Sequence, residues 1–354
     1  VVDPSIGHLV PVPNGPVRQI TTELSYAAFP LTVPLPGGYL MSYKAAATHN
    51  SPGGYLMHRR SPDGIDWGSA YFQTGGMSPS YSWGHGGVAV ETAAQGGRVH
   101  LLLLRLHFTS ATVDEVRSWH KWSDDGGVTW QLGVQMPTIT GIGWYPSSLI
   151  VCDDGSLLAA GYNSDGWVRF LRSTDRGATW VNAGAVTDAA PDRGLAEGTV
   201  LQLSTGQVLS FQRSDTPTPR LSSSICDDIT APTPVWSTPA VAVPEGSGLP
   251  NAIELPGGHI ALGYRGYSDR SNPAAGRPLR IAMFTITPTG IVGYRDGIDP
   301  MIGEDGRMLY GNPVLVDAGG PDEGWALIYG LEGPGGQGGG SAAVVAIPVE
   351  WRTV

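Results

Sequence analysis

Ser123-Asp-Asp-Gly-Gly-Val-Thr-Trp130 and Ser173-Thr-Asp-Arg-Gly-Ala-Thr-Trp180 share one pattern, S-x-D-x-G-x-T-W. Ser61-Pro-Asp-Gly-Ile-Asp-Trp67 repeats it one residue shorter. The physics of the octet is local. Its Asp carboxylate accepts backbone N–H groups across a tight turn. Gly supplies a positive φ that other residues resist. Thr and Trp begin a returning strand, and the indole packs between neighbouring sheets. The octet is therefore a hairpin staple rather than a catalytic or metal-binding acid.

An apolar strand, a Gly-bearing turn and a second apolar strand recur around the octets. The copies are FPLTVPLPGGYLMSY, VAVETAAQGGRVHLLLL, YPSSLIVCDDGSLLAAGY, EGTVLQLSTGQVLSFQR, PNAIELPGGHIALGYR and NPVLVDAGGPDEGWALIYG. Turn pairs between β-rich runs are hairpin signals. No stretch sustains the 3.6-residue apolar period of a helix. Repeats of about 50 residues, each able to form four strands, predict an all-β, six-bladed propeller of four-stranded antiparallel blades. Residues 1–354 are expected to form one propeller domain. It is expected to close by pairing an N-terminal strand, about 17–24, with a C-terminal one, about 342–350. The later units have lost the octet, and Ser224-Ile-Cys-Asp-Asp228 reads as its relic.

Composition agrees. The 354 residues include 51 Gly and 29 Pro, yet also 11 Trp and 13 Tyr. Disordered chains lack such aromatics. Charged residues make up 15%, against roughly 25% in ordinary soluble domains, which argues against long solvated helices. The net charge of −10 argues against nucleic acid or an anionic membrane as partner. No apolar run is long enough for a membrane span. The first residues do not read as a signal peptide. Cys152 and Cys226 fit no zinc spacing, and their pairing is left open. No metal and no cofactor is expected, although calcium in an Asp-rich turn stays open.

The octets are similar to the Asp-boxes, or BNR repeats, of the sialidase superfamily, and the resemblance extends over most of the chain. It implies a secreted, extracellular glycosidase acting on a glycan, with a virion-associated protein as an alternative. Sialidases hold the substrate carboxylate with three Arg, attack with a Tyr assisted by a Glu, and use an Asp as acid/base. Glu197 opens one strand and Arg213, sixteen positions later, ends its partner, so a hairpin returns the Arg beside the Glu, as in the family. Tyr310 resembles the nucleophile, and Asn272-Pro-Ala-Ala-Gly-Arg277 resembles the approach to the third Arg. The first half departs. The family's F-R-I-P segment falls on Ala27-Ala-Phe-Pro30, so Ala28 stands where the first Arg belongs. The acid/base Asp belongs near Ala47-Thr-His-Asn50, where His49 is the one titratable side chain.

The candidate catalytic residues are thus Tyr310, Glu197, His49 and His85. A phenol needs a neighbouring base to attack, and an imidazole exchanges protons near neutrality. Arg213, Arg277 and Arg265 are candidate carboxylate ligands, because guanidinium forks bind carboxylates and keep their charge. Tyr145, Trp144, His107 and Tyr26 are candidate sugar-binding groups, with blade packing as the alternative. Three functions remain open. The first is a sialidase-like hydrolase of a terminal acidic sugar. The second is a polysaccharide lyase using Arg213, His85 and Tyr145. The third is a non-catalytic carbohydrate-binding propeller, such as an adhesin or phage tail component.

Overall fold

The computed structural model describes residues 9–13, 18–21, 26–48, 51–74, 78–110, 112–138, 143–187, 194–214, 219–244, 246–266, 279–287, 290–298, 310–317, 325–332 and 343–353. Two short strands come first, β1 (Leu9–Pro13) and β2 (Arg18–Gln19). The first blade is β3 (Tyr26–Leu35), β4 (Gly38–Ala46), β5 (Tyr55–Ser61) and β6 (Tyr71–Thr74). The second is β7 (Tyr81–Val90), β8 (Val99–Thr109), β9 (Thr112–Ser123) and β10 (Gln131–Gln135). The third is β11 (Tyr145–Val151), β12 (Leu157–Tyr162), β13 (Val168–Ser173) and β14 (Val181–Val186). The fourth is β15 (Leu195–Gln202), β16 (Val208–Ser214), β17 (Arg220–Cys226) and β18 (Ala240–Pro244). The fifth is β19 (Gly246–Leu255), β20 (His259–Gly266), β21 (Leu279–Thr287) and β22 (Gly290–Ile298). The last sheet holds β23 (Tyr310–Asp317), β24 (Trp325–Glu332) and β25 (Ala343–Thr353).

This is an antiparallel β-propeller, with one correction to the sequence reading. Only five of the described sheets are four-stranded blades; the sheet that joins the chain ends has five strands. The reason is the length of β25. Its 11 residues pair with β1 through Val349–Thr353 and with β2 through Val345 and Ala346. One long strand thus accommodates two short partners end to end.

The cores lie between blades. Each octet Trp reaches towards the preceding blade. Trp130 packs with Leu40 of β4 and Val99 of β8, and Trp180 with Leu102 of β8 and Leu149 of β11. The staple forms as read. Ser123 Oγ donates to Asp125 Oδ1 at 2.7 Å, and Thr129 N–H donates to the same oxygen at 2.8 Å. Trp130 Nε1–H donates to the Gly127 carbonyl at 3.0 Å. The shorter copy keeps the geometry, with Asp66 N–H donating to Asp63 Oδ1 at 2.8 Å. In the relic, Asp228 Oδ1 accepts from the Thr230 backbone and hydroxyl. Cys152 and Cys226 are both buried free thiols. Burial pushes Cys152 up to about 11.

A polar network joins the second and third blades. Arg176, in the third octet, donates through Nε to Glu91 Oε1 at 2.8 Å. Glu91 also meets His100 Nε2 at 3.1 Å, and His100 Nδ1 lies 2.9 Å from His120 Nε2. Burial drives His100 to about 4 and His120 to about 3, so both rings are neutral. Burial pushes the Glu91 carboxyl upward, but its Arg176 and His100 bonds outweigh this and hold it below its ordinary value.

Candidate active site

The first strand of each of the five blades, and β23 of the closing sheet, face the axis. These inner strands, β3, β7, β11, β15, β19 and β23, contact one another in a closed ring. Together they line one solvent-open cavity at the axis. Each contributes to its lining, through Thr32, Val88, Ser148, Thr199, Asn251 and Val314.

Every inner strand breaks register with its neighbour near its start. The breaks follow Ala28, His85, Pro146, Ala196, Ser247 and Tyr310. A β-bulge bends a strand and re-aims its side chains. In three blades a residue at positive φ opens the bulge: Phe29 at 54°, Glu197 at 49° and Gly248 at 78°. Glycine tolerates that region, whereas Phe and Glu are strained in it.

Glu197 and Arg213 meet as the sixteen-residue spacing implies. Ala196 pairs with Arg213 across the β15–β16 hairpin. The bulge then brings Glu197 Oε2 to 2.5 Å from Arg213 Nη1. Oε2 nevertheless has no aligned hydrogen-bond donor, so the contact is an ion pair. Both side chains are about one-fifth exposed, at 21% and 19%. Arg265 holds the equivalent place in the fifth blade, opposite Ser247. A Cβ on Gly248 would fall 2.1 Å from its Nε, so only glycine lets the guanidinium lie across this bulge. Tyr26 is within electrostatic reach of Arg265. Burial raises its phenol to about 12, while Arg265 pulls the other way.

His85 closes the pre-bulge stretch of β7 and lines the cavity. Its Nε2 is buried without a hydrogen-bond partner. Burial drives the imidazole down to about 4, and nearby Lys44 acts in the same direction. Neutral His85 is therefore a proton acceptor at ordinary pH, not an imidazolium acid. Gly86 and Gly87 let the third blade close in. A Cβ on Gly86 would meet the Pro146 carbonyl at 1.9 Å.

The remaining candidates divide. Tyr145 is half-buried and stacked on Tyr162, with centroids 5.4 Å apart. Trp144 is buried in the core beneath Gly161, which places it in blade packing. His107 lies on the β8–β9 hairpin, with Nδ1 2.5 Å from Asp114 Oδ1 and its ring against Tyr81. Tyr310 opens β23 opposite Leu331, at the last register position before the bulge. His49 and Arg277 lie outside the described residues. Ala28 is fully buried, and the residue paired with it is Lys44 of β4, which the sequence reading missed. The available signal was a single charge in the strand GYLMSYKAA.

No protein-family model matches the chain, and no curated protein matches it either. Solved structures do. A protein of unknown function from Dyadobacter fermentans superposes with a TM-score of 0.74 at 17% identity, covering 95% of this chain and 99% of that one. The NanB sialidase of Streptococcus pneumoniae gives 0.70 at 13% identity, covering 97% and 70%. The intramolecular trans-sialidase of Ruminococcus gnavus gives 0.67 at 12% identity, covering 92% and 95%. The chain has the sialidase fold. At these identities the likeness is one of architecture, and fold alone does not assign an activity.

Proposed function

We propose that this sialidase-like propeller is a glycoside hydrolase that removes a terminal acidic sugar from a glycan. The observation that carries the reading is the Glu197–Arg213 pair, set 2.5 Å apart on a strained bulge of an inner strand. Strain is retained where the surrounding structure imposes it, and such positions cluster at functional sites. Arg213, Arg265 and Arg277 hold the sugar carboxylate. Tyr310 is the nucleophile and Glu197 the base that takes its proton, a division of labour in which a Tyr replaces the usual carboxylate. With His85 held neutral, protonation of the leaving oxygen falls to His49. The extracellular setting and the glycan partner belong to the same proposal.

The test is turnover of aryl glycosides of acidic sugars. Glu197→Gln and Tyr310→Phe are each expected to lower kcat by roughly 10²-fold to 10⁴-fold. Full turnover by both variants ends the reading.

One observation favours a second reading. A neutral His85, whose buried Nε2 has no hydrogen-bond partner, would take the C5 proton of a uronate, with Arg213 neutralising the carboxylate and Tyr145 protonating the leaving oxygen. Such a lyase creates a C=C bond. Growth of far-ultraviolet absorbance during turnover of a uronate polymer separates it from the hydrolase.

A further inference from the structure

Three hairpins repeat one device. In the first, fourth and fifth blades the inner-strand bulge opens with a positive-φ residue, Phe29, Glu197 or Gly248. In the same three blades the residue opposite the last pre-bulge position is basic. It is Lys44 opposite Ala28, Arg213 opposite Ala196, and Arg265 opposite Ser247. The other two blades have Leu103 and Gly161 at that register position, and the closing sheet has Leu331. Equivalent register on equivalent strands puts the three cations at one level of their second strands, on the same face of their hairpins. Tyr26 of the first blade lies within electrostatic reach of Arg265 of the fifth.

We infer that Lys44 joins Arg213 and Arg265 in an anion-holding set, and that it receives the carboxylate of an acidic sugar. The inference rests on the proposed acidic-sugar site and adds the residue that makes its charge titratable. An Arg stays charged at every accessible pH, whereas a buried ammonium does not. Lys44 is 5% exposed, and burial lowers it to about 8. The surroundings leave it as the group that changes charge near neutrality. From β3, Tyr26 shares its face and is raised to about 12. From β7, His85 is neutral above about 4 and Ser82 brings a hydroxyl. From β5, Leu56 stands opposite and brings no charge. An anion bound here therefore loses one favourable charge as pH rises through the Lys44 transition.

The experiment is calorimetric titration of the full chain with sialic acid and with glucuronic acid, each beside its uncharged methyl ester, from about pH 6 to pH 10. The unsubstituted protein is expected to prefer acid over ester for at least one sugar, and to lose about tenfold of that preference as pH passes through 8. Lys44→Met is expected to lose about tenfold or more at pH 7 and to show no transition at pH 8. Lys44→Arg is expected to keep the preference up to pH 10. If Lys44→Met is poorly folded, Lys44→Arg and the pH profile of the unsubstituted protein decide the matter. A preference that falls at pH 8 in Lys44→Arg as well removes Lys44 from the set. So does a Lys44→Met protein that binds the acids normally while Arg213→Met does not, and that result leaves the acidic-sugar site standing. A protein that does not distinguish acids from esters overturns both the set and the site.

Discussion

Lys44 is expensive to keep where it is. Its ordinary value of 10.5 falls to about 8 in the folded chain, a difference worth about 3 kcal/mol at pH 7. The sign follows from proton counting. Between about pH 8 and pH 10.5 the unfolded chain binds the proton that the folded chain has released, so stability rises with pH across that window. Below it, the folded state carries the cost that burial places on the ammonium. Lys44→Met keeps the length of the side chain and removes the charge. It is expected to melt a few degrees higher than the unsubstituted protein at pH 7, with the gain fading towards pH 10.5. Thermal denaturation across that range checks this. A variant that gains stability while losing anion affinity marks a residue retained for binding. Melting that is unchanged at both ends of the range shows that burial of Lys44 carries no cost.

At the scale of single elements, the octets and the bulges contrast. Asp125 gathers the N–H groups of Val128 and Thr129 and the hydroxyls of Ser123 and Thr129. Burial opposes ionisation, but these bonds hold the carboxyl down at about 2. Their contribution is complete above the unfolded value near 4 and is lost as pH falls towards 2. Asp125→Ala strands several turn donors and is expected to cost roughly 2 kcal/mol at pH 7. Its melting temperature should also depend less on pH between about 4 and 2, which calorimetry of the two proteins compares directly. All of these contacts fall within eight consecutive residues, and that is why the staple was legible in the sequence. The Glu197–Arg213 meeting was legible too, because hairpin length fixes which residues return together. The bulges were not. Phe29 and Glu197 take positive φ against their own preference, and what imposes it is the packing of six inner strands around one axis. Gly86, Gly198 and Gly248 within strands were the trace available. Lys44 became meaningful only once register placed it level with Arg213 and Arg265. The neutrality of His85 depends on burial and on Lys44 next door, neither of which the sequence displays.

For the whole molecule, the question is what keeps a ring of sheets from opening. Between blades, apolar seams and the Arg176–Glu91–His100 network supply side-chain contacts. At the seam of the chain ends the closure is backbone pairing. β25 would otherwise present a long strand edge, and an unpaired edge is a template for another chain. β1 and β2 occupy that edge at Val345, Ala346 and Val349–Thr353. Register at the sixth inner strand depends on this closure, because β23 is held through β24 to β25. Tyr310 sits on that strand, so the far end of the candidate site is anchored by the first residues of the chain. Removing residues 1–19 is therefore expected to lower the melting temperature by about ten degrees or more. It should also produce self-association through the freed β25 edge, visible by size-exclusion chromatography. Turnover should fall further than Glu197→Gln alone explains, since the truncation loosens the strand that carries Tyr310. A truncated protein that melts, migrates and turns over like the full chain would show that the blades are held by side-chain seams alone.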